Sequence, residues 1–362
     1  MTLDISLKQF QVKIEQTQAS RLSQVDFDNL AFGREFSDHM FICEYKDGQW
    51  QEPIIKPYGP LNLSPSLHSL HYGQAIFEGM KAYRDSKDSE KVFMFRPEEN
   101  YKRFNHSAKR LAMPEVPQDL FINGIKELVK LDRNWIPRAE GNSLYVRPFM
   151  FASSEKIMAT PAEEYLFVVI TSPSASYYSG AVKLKVEQYY TRAAQGGTGN
   201  AKAAGNYAAS FRPMQLAKEE GYMQLLWTDA KQHAFAEEVG TMNFFIRKGD
   251  VLYTPPTSDS ILSGITRKSL IELIPSLGME VVVEKISISE LEEGIKNGEV
   301  TEIFGAGTAA VISPIETIGI NGIDYTLPLD KDNSYWSKLK NALTSIQFGK
   351  TEDKFGWREQ VI

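Results

Sequence analysis

Apolar and polar positions change their period several times along the chain, and each change marks an element. From His39, "HMFICEYKDGQWQEPIIKPY" holds two β-rich runs around Asp47-Gly48, the signature of a hairpin. A short strand is expected at 91–95, "KVFMF". Pro97 then stands where a helix starts, and "PEENYKRFNHSAKRL" follows it with helical spacing. Residues 118–131 predict a second amphipathic helix, with Phe121, Ile125, Leu128 and Val129 on one side. Strands are expected at 143–151, "SLYVRPFMF", and at 165–172, "YLFVVITS". A Ser/Pro/Tyr stretch, "SPSASYYSG" (172–180), breaks the pattern as a linker would.

The second half repeats this mixture. A helix is expected over about 207–219, ending before Gly221, with strands near 222–228, 242–248 and 250–254. Another helix begins near Thr266, and a strand at 280–285 precedes a helix at 288–296. Ser289-x-x-Glu292 matches a capping box for that last helix. The amphipathic "YWSKLKNALTSIQF" closes the series, and no internal repeat or low-complexity tract is found. Residues 1–30 are polar and weakly patterned, and an arm or frayed end is expected there. Strands and helices in both halves imply two α/β or α+β domains. The expected division is an arm at 1–30, a small domain at 31–175 and a large domain at 176–362.

Composition agrees and removes several function classes. At 362 residues, 42% hydrophobic and 24% charged, the chain exceeds what one core usually supports. Net charge is −6 with neutral histidines and no basic block stands out, so no nucleic-acid partner is expected. Cys43 is the only cysteine, which excludes an intrachain disulfide and fits a reduced, cytoplasmic compartment. "MTLDISLKQFQVKIEQTQ" lacks the form of a secretory signal, and no run is apolar enough to span a bilayer, so no membrane partner is expected. Histidines 39, 68, 71, 106 and 233 show no ligand spacing, and no metal is expected.

Three features could carry chemistry. The first is "QGGTGNAKAAGNYAAS", which surrounds Lys202 with Gly, Ala and Asn. A flexible loop with a solvated lysine fits these letters. A lysine kept from other charges so that its amine can react fits them too. The second is a pair of Gly-x-Thr turns. Gly264-Ile265-Thr266 opens a helix, whose free N–H groups and positive end suit an anion. Gly305, Gly307 and Thr308 are arranged in the same style, and each turn alone could be no more than a cap. The third is "AEEVGTMNFFIRKGD", where Glu237 and Glu238 sit in an apolar β-rich run and alternation turns only one inward. An inward carboxylate needs a cationic partner to stay ionised, whereas both could be solvated at a bulge. A Schiff-base lysine, a phosphate cup and a carboxylate for a ring nitrogen are together what pyridoxal 5′-phosphate demands of a protein.

At these residues the chain resembles the branched-chain aminotransferases, fold-type-IV pyridoxal-phosphate enzymes, from about Phe32 to Gly349. The resemblance rests on "HYGQAIFEGMKAYR", "NYKRFNHSAKRL", "SLYVRPF", "GNAKAAGNY", "EEVGTMNFF", "SGITRKSL" and "FGAGTAA", in that order. It implies an α/β (α+β) fold of two domains with the cofactor site at their interface. It makes Lys202 the covalent anchor of the cofactor and the proton shuttle, with Tyr207 on the ring O3′ and Glu238 on the pyridinium nitrogen. Arg103, Ile265, Thr266 and Thr308 would hold the phosphate, with Thr241 and Asn243 flanking the cofactor segment. Phe32, Tyr72, Phe77, Tyr145, Arg147 and Tyr177 would form the substrate pocket, and the substrate α-carboxylate would lie near Thr308 and Ala309. Aromatic walls suit Leu, Ile and Val side chains, while a tyrosine hydroxyl and Arg147 suit the distal carboxylate of glutamate.

The implied reaction moves the amino group of a branched-chain L-amino acid to 2-oxoglutarate, in a homodimer or an assembly of dimers whose neighbouring subunit helps close the pocket. D-amino-acid transaminases and aminodeoxychorismate lyases share the fold and are the alternatives. Tyr145-Val146-Arg147 and the long N-terminal arm favour the branched-chain group. Some members carry Cys-x-x-Cys just after the Gly-Thr-Ala segment. Here Ala310 to Ser313 reads "AVIS", which excludes thiol regulation at that site.

Overall fold

The computed structural model describes residues 2–7, 10–175, 180 and 182–362. The chain divides into two compact units. The first gathers Met1–Tyr177, Ala201–Gly205 and Ile346–Ile362, and the second gathers Tyr178–Asn200 and Asn206–Ser345. No described helix is long and apolar enough to cross a membrane.

The first unit is built on one sheet. Its centre is the antiparallel pair Ser143–Ala152 and Tyr165–Ser174, and His39–Lys46 adds beside the latter. Asp47 and Gly48 both take positive φ (53° and 75°), as the tight hairpin into Gln49–Trp50 requires. The helix Pro97–Arg110 has Pro at its start, Glu98 and Glu99 in its first turn and Lys109 and Arg110 in its last, all favoured by the helix dipole. The second expected helix opens with a π turn, Asp119–Asn123, and continues as Gly124–Leu131. Phe121, Ile125, Leu128 and Val129 are fully buried there. Phe104 and Phe121 from these helices meet Phe167 from the sheet with centroids 5.5 and 5.9 Å apart, and this aromatic contact anchors the core.

The second unit is a sheet that closes on itself. Strands Met242–Lys248, Val300–Gly307, Val311–Ile320, Val182–Val186, Gln224–Thr228 and Phe235–Val239 pair in that order, and the last pairs with the first. Val182, Leu184, Leu226, Phe244, Ile303 and Ile318 belong to its buried cluster. The helix Ile265–Ser276 begins where expected.

Several expectations are corrected. Residues 1–30 are not simply an arm. Thr2–Ser6 and Gln11–Glu15 are strands, and the second runs parallel to Ile54–Pro57, burying Val12 and Ile14. The closing residues return to the first unit, because Arg358–Gln360 pairs with Val92–Phe95. The expected helix 207–219 is two, Ala204–Ala208 and Phe211–Glu219. Ser210 divides them: its N–H and its hydroxyl both donate to the Tyr207 carbonyl, at 3.0 and 2.7 Å, which competes with the helical ladder. The cap of the helix Ile288–Lys296 is Ser287, which accepts from the Glu290 N–H, and not Ser289. Thr308 lies in the tight turn of a β-hairpin, one of the readings open for its Gly-x-Thr stretch.

Candidate active site

In the first unit, Ala201–Gly205 is fastened to the sheet around Lys202. Ala203 makes an isolated bridge with Ile76, and the Phe77 N–H donates to the Lys202 carbonyl at 3.1 Å. The Lys202 N–H donates to the Ser107 hydroxyl oxygen at 2.9 Å. The segment therefore has its backbone tied down, which a solvated loop does not need. The half-buried Lys202 amine lies 4.7 Å from the centre of the Phe77 ring.

The same ring carries the Arg147 guanidinium at 4.6 Å, and Arg147 donates to the Tyr145 hydroxyl at 3.0 Å. Phe32 packs edge-on against Tyr145 with centroids 4.9 Å apart. The structure thus brings Phe32, Phe77, Tyr145, Arg147 and Lys202 together. Gly79 makes this possible, since a Cβ there would collide with the Tyr145 hydroxyl. Tyr72 stands outside this cluster, 40% exposed, with its ring against His68 and His71. Tyr177 lies outside the described residues.

Arg103, one turn before Ser107 on the helix Pro97–Arg110, is held by a residue that the sequence analysis missed. Glu78 has no exposed surface, and it accepts Arg103 Nε at 2.6 Å and NH2 at 2.8 Å, together with Asn100 Nδ2 at 2.7 Å. Burial alone would raise its carboxyl pKa. The charges of Arg103 and Lys202 and the bonds from Arg103 and Asn100 outweigh burial and hold it below the usual carboxylate range. The available signal was an acid inside the short apolar-rich run "AIFEGM".

In the second unit, both glutamates of "AEEVG" are buried, against the expectation that only one turns inward. Trp227 opposes Glu238 while Thr228 opposes Ala236, so Glu237 is the extra residue of a β-bulge and alternation fails there. Glu238 accepts the Leu262 N–H at 2.7 Å and faces Arg192 Nε at 3.2 Å. Glu237 accepts the Ser260 hydroxyl, while its Oε2 has no hydrogen-bond partner. Its pKa is raised by burial, which Ser260 and Arg192 only partly offset.

Asn243 sits opposite Glu238 across the hairpin and donates to the Leu262 carbonyl at 2.9 Å. Leu262 thus links Glu238 and Asn243 to the segment that enters the helix at Gly264, where Ile265 and Thr266 are buried. Strand register sets Asn243 opposite Ala306, so the exposed turn at Thr241 and the half-buried turn of Thr308 and Ala309 share one end of the sheet. Tyr207, half-buried, is the last residue but one of the helix Ala204–Ala208.

A family model described as Amino-transferase class IV matches residues 75–318. The chain belongs to the class IV aminotransferases. Branched-chain-amino-acid transaminase 1 of Bacillus subtilis (strain 168) is 44% identical over 342 residues, 93% of this chain and 95% of that one. The probable branched-chain-amino-acid aminotransferase of a Staphylococcus epidermidis strain is 44% identical over 356 residues, 97% and 98% of the two chains. Among solved structures, the branched-chain aminotransferase of Thermoproteus uzoniensis with norvaline is similar with a TM-score of 0.73 and 26% identity, covering 90% of this chain and all of that one. The T.th. enzyme complexed with N-(5′-phosphopyridoxyl)-L-glutamate has a TM-score of 0.68 and 27% identity, covering 88% and 98%.

The donor set of this class IV aminotransferase fits pyridoxal phosphate. In the first unit an amine lies against an aromatic ring; in the second a helix start offers N–H groups that precede its own ladder, and a buried carboxylate faces an arginine. Arg147 Nε is buried without a hydrogen-bond partner, which suits an arriving carboxylate.

Proposed function

We propose that the protein transfers the amino group of L-leucine, L-isoleucine or L-valine to 2-oxoglutarate, yielding the branched-chain 2-oxo acid and L-glutamate in two half-reactions. It is a pyridoxal-phosphate-dependent transaminase. The observation that carries the substrate reading is that the Lys202 amine and the Arg147 guanidinium both lie against the Phe77 ring. A proton-transferring amine and a carboxylate-binding cation then address one small acid among aromatic walls.

Bound pyridoxal phosphate supplies an electron sink for the pair left when the substrate Cα–H bond breaks. Lys202 would anchor it through Nζ and would carry the substrate Cα proton in both half-reactions. Glu238 would pair with the ring nitrogen, and Tyr207 would hydrogen-bond the ring O3′. Arg103, the N–H groups of Ile265 and Thr266, and Thr308 would hold the phosphate, with Thr241 and Asn243 flanking the cofactor segment. Phe32, Phe77 and Tyr145 wall the branched side chain and exclude water, and Tyr72 and Tyr177 complete the pocket. For glutamate, Arg147 and the Tyr145 hydroxyl bind the distal carboxylate, while backbone near Thr308 and Ala309 takes the α-carboxylate. The same reading makes the protein a cytoplasmic homodimer or assembly of dimers.

The test is the visible spectrum of the purified protein, then borohydride reduction and peptide mapping, beside Lys202→Ala. A yellow protein reduced to a pyridoxyl adduct on Lys202, bleached by L-leucine and restored by 2-oxoglutarate, is expected. A response to D-alanine and not to L-leucine, or an adduct elsewhere, overturns the reading.

A further inference from the structure

We infer that Glu78 is the positioning residue for the phosphate end of the cofactor, holding the Arg103 guanidinium through two parallel bonds within a closed network that includes the Lys202 backbone. The inference rests on the reading of Arg103 as a phosphate ligand.

The network can be traced atom by atom. The Phe77 N–H donates to the Lys202 carbonyl, and the Lys202 N–H donates to Ser107 Oγ at 2.9 Å. That hydroxyl donates in turn to the Arg103 carbonyl, also at 2.9 Å. The Arg103 side chain reaches back to Glu78 with its Nε at 2.6 Å and NH2 at 2.8 Å, and Glu78 is the chain neighbour of Phe77. One circuit therefore joins the sheet, the helix carrying Arg103 and the segment carrying Lys202.

A guanidinium is planar, so two parallel bonds along one edge fix its plane as well as its place. A long arginine side chain otherwise loses much rotamer freedom when it takes up an anion, and weakens binding by that amount. Glu78 meets that cost during folding. Asn100 shares Oε2 with the Arg103 NH2, donating to it at 2.7 Å and to the Gly79 carbonyl at 3.2 Å, so the holder is itself held. Charge argues the same way. Two cations, Arg103 and Lys202, act on one fully buried anion, and its loss would remove a charge that both of them face.

The test compares pyridoxal 5′-phosphate with pyridoxal, which lacks the phosphate, as ligands of the full chain stripped of cofactor. Binding is followed by fluorescence for the wild type, Glu78→Gln, Asn100→Ala and Arg103→Ala. Glu78→Gln is expected to cut the preference for the phosphorylated ligand by about 10- to 100-fold, the loss seen when the outer partner of a ligand-holding side chain is removed. Pyridoxal affinity should be unchanged. Asn100→Ala should cut the preference less, and it decides the matter if Glu78→Gln does not fold. An unchanged preference in the Glu78 and Asn100 variants, or an equal loss for both ligands, overturns the inference while Arg103→Ala still loses the preference. If Arg103→Ala keeps the wild-type preference, the reading of Arg103 fails and the inference fails with it.

Discussion

Glu78 and Glu237 are buried carboxylates, one in each compact unit. Glu78 accepts both arms of Arg103 and the Asn100 amide, and its carboxyl is held below the usual range. Glu237 accepts a serine hydroxyl, keeps one oxygen without a hydrogen-bond partner, and its pKa is pushed up by burial. Two buried carboxyls are thus shifted in opposite directions, because what surrounds a carboxylate decides whether its charge is tolerated. An anion held by a guanidinium can order other charges, whereas a carboxyl inclined to neutrality cannot. Glu238, beside Glu237, faces Arg192 instead.

Exchange of the two carboxylates for amides should break this symmetry most strongly. Glu78→Gln leaves Arg103 without its counter-charge and is expected to cost about 3–5 kcal/mol, the usual loss on breaking a buried pair. Glu237→Gln removes a charge that burial already disfavours and should change stability by less than about 1 kcal/mol. Urea unfolding of both variants measures the contrast, and equal losses would dissolve it.

Glu238→Gln tests whether the second unit keeps its anion for the reaction. Turnover of L-leucine should fall about 100-fold, as when one preorganised charge-stabilising group is removed, in addition to the stability lost with its buried Arg192 pair. Gly79→Ala should act more mildly and through geometry. The new Cβ displaces Tyr145, and Arg147 with it, so KM for glutamate should rise about tenfold while KM for leucine rises less.

The smallest effect is the acid dependence of stability. The Glu78 pKa is lower in the folded than in the unfolded chain. Its contribution is present above the unfolded value, about 4.3, and is lost as pH falls through the folded value. The Glu237 pKa is higher in the folded chain. Its contribution is full below about 4.3 and is lost as pH rises through its folded value. Relative to wild type, Glu237→Gln should gain stability from pH 4 to 7, and the deficit of Glu78→Gln should shrink below about pH 4. Urea midpoints across that range read both.

Local pattern carried much of this molecule. Pro97, the acidic first turn and the basic last turn of Pro97–Arg110 are neighbours in sequence and act on one helix, so they were legible. The Asp47-Gly48 hairpin was legible for the same reason. The strand Gln11–Glu15 was not, because Val12-Lys13-Ile14 alternates too briefly to stand out and gains its meaning from the distant Ile54–Pro57. Ser287 and Ser289 both precede a glutamate by three residues, and only backbone geometry shows that Ser287 is the cap.

The candidate site divides along the same line. The sequence by itself determined the chemical inventory: a lysine among small residues, a helix start for an anion, acids in an apolar run, and an order of motifs shared with class IV aminotransferases. Those are properties of residue type and near spacing. Tertiary structure alone decided which charges meet. It closed the circuit from Glu78 through Arg103 and Ser107 to Lys202, set Lys202 and Arg147 on one ring, left Tyr72 outside, and used a bulge to bury Glu237 beside Glu238. The physical reason is range. Helix and turn preferences act over a few residues, while a buried charge is settled by partners that only folding brings within hydrogen-bond reach.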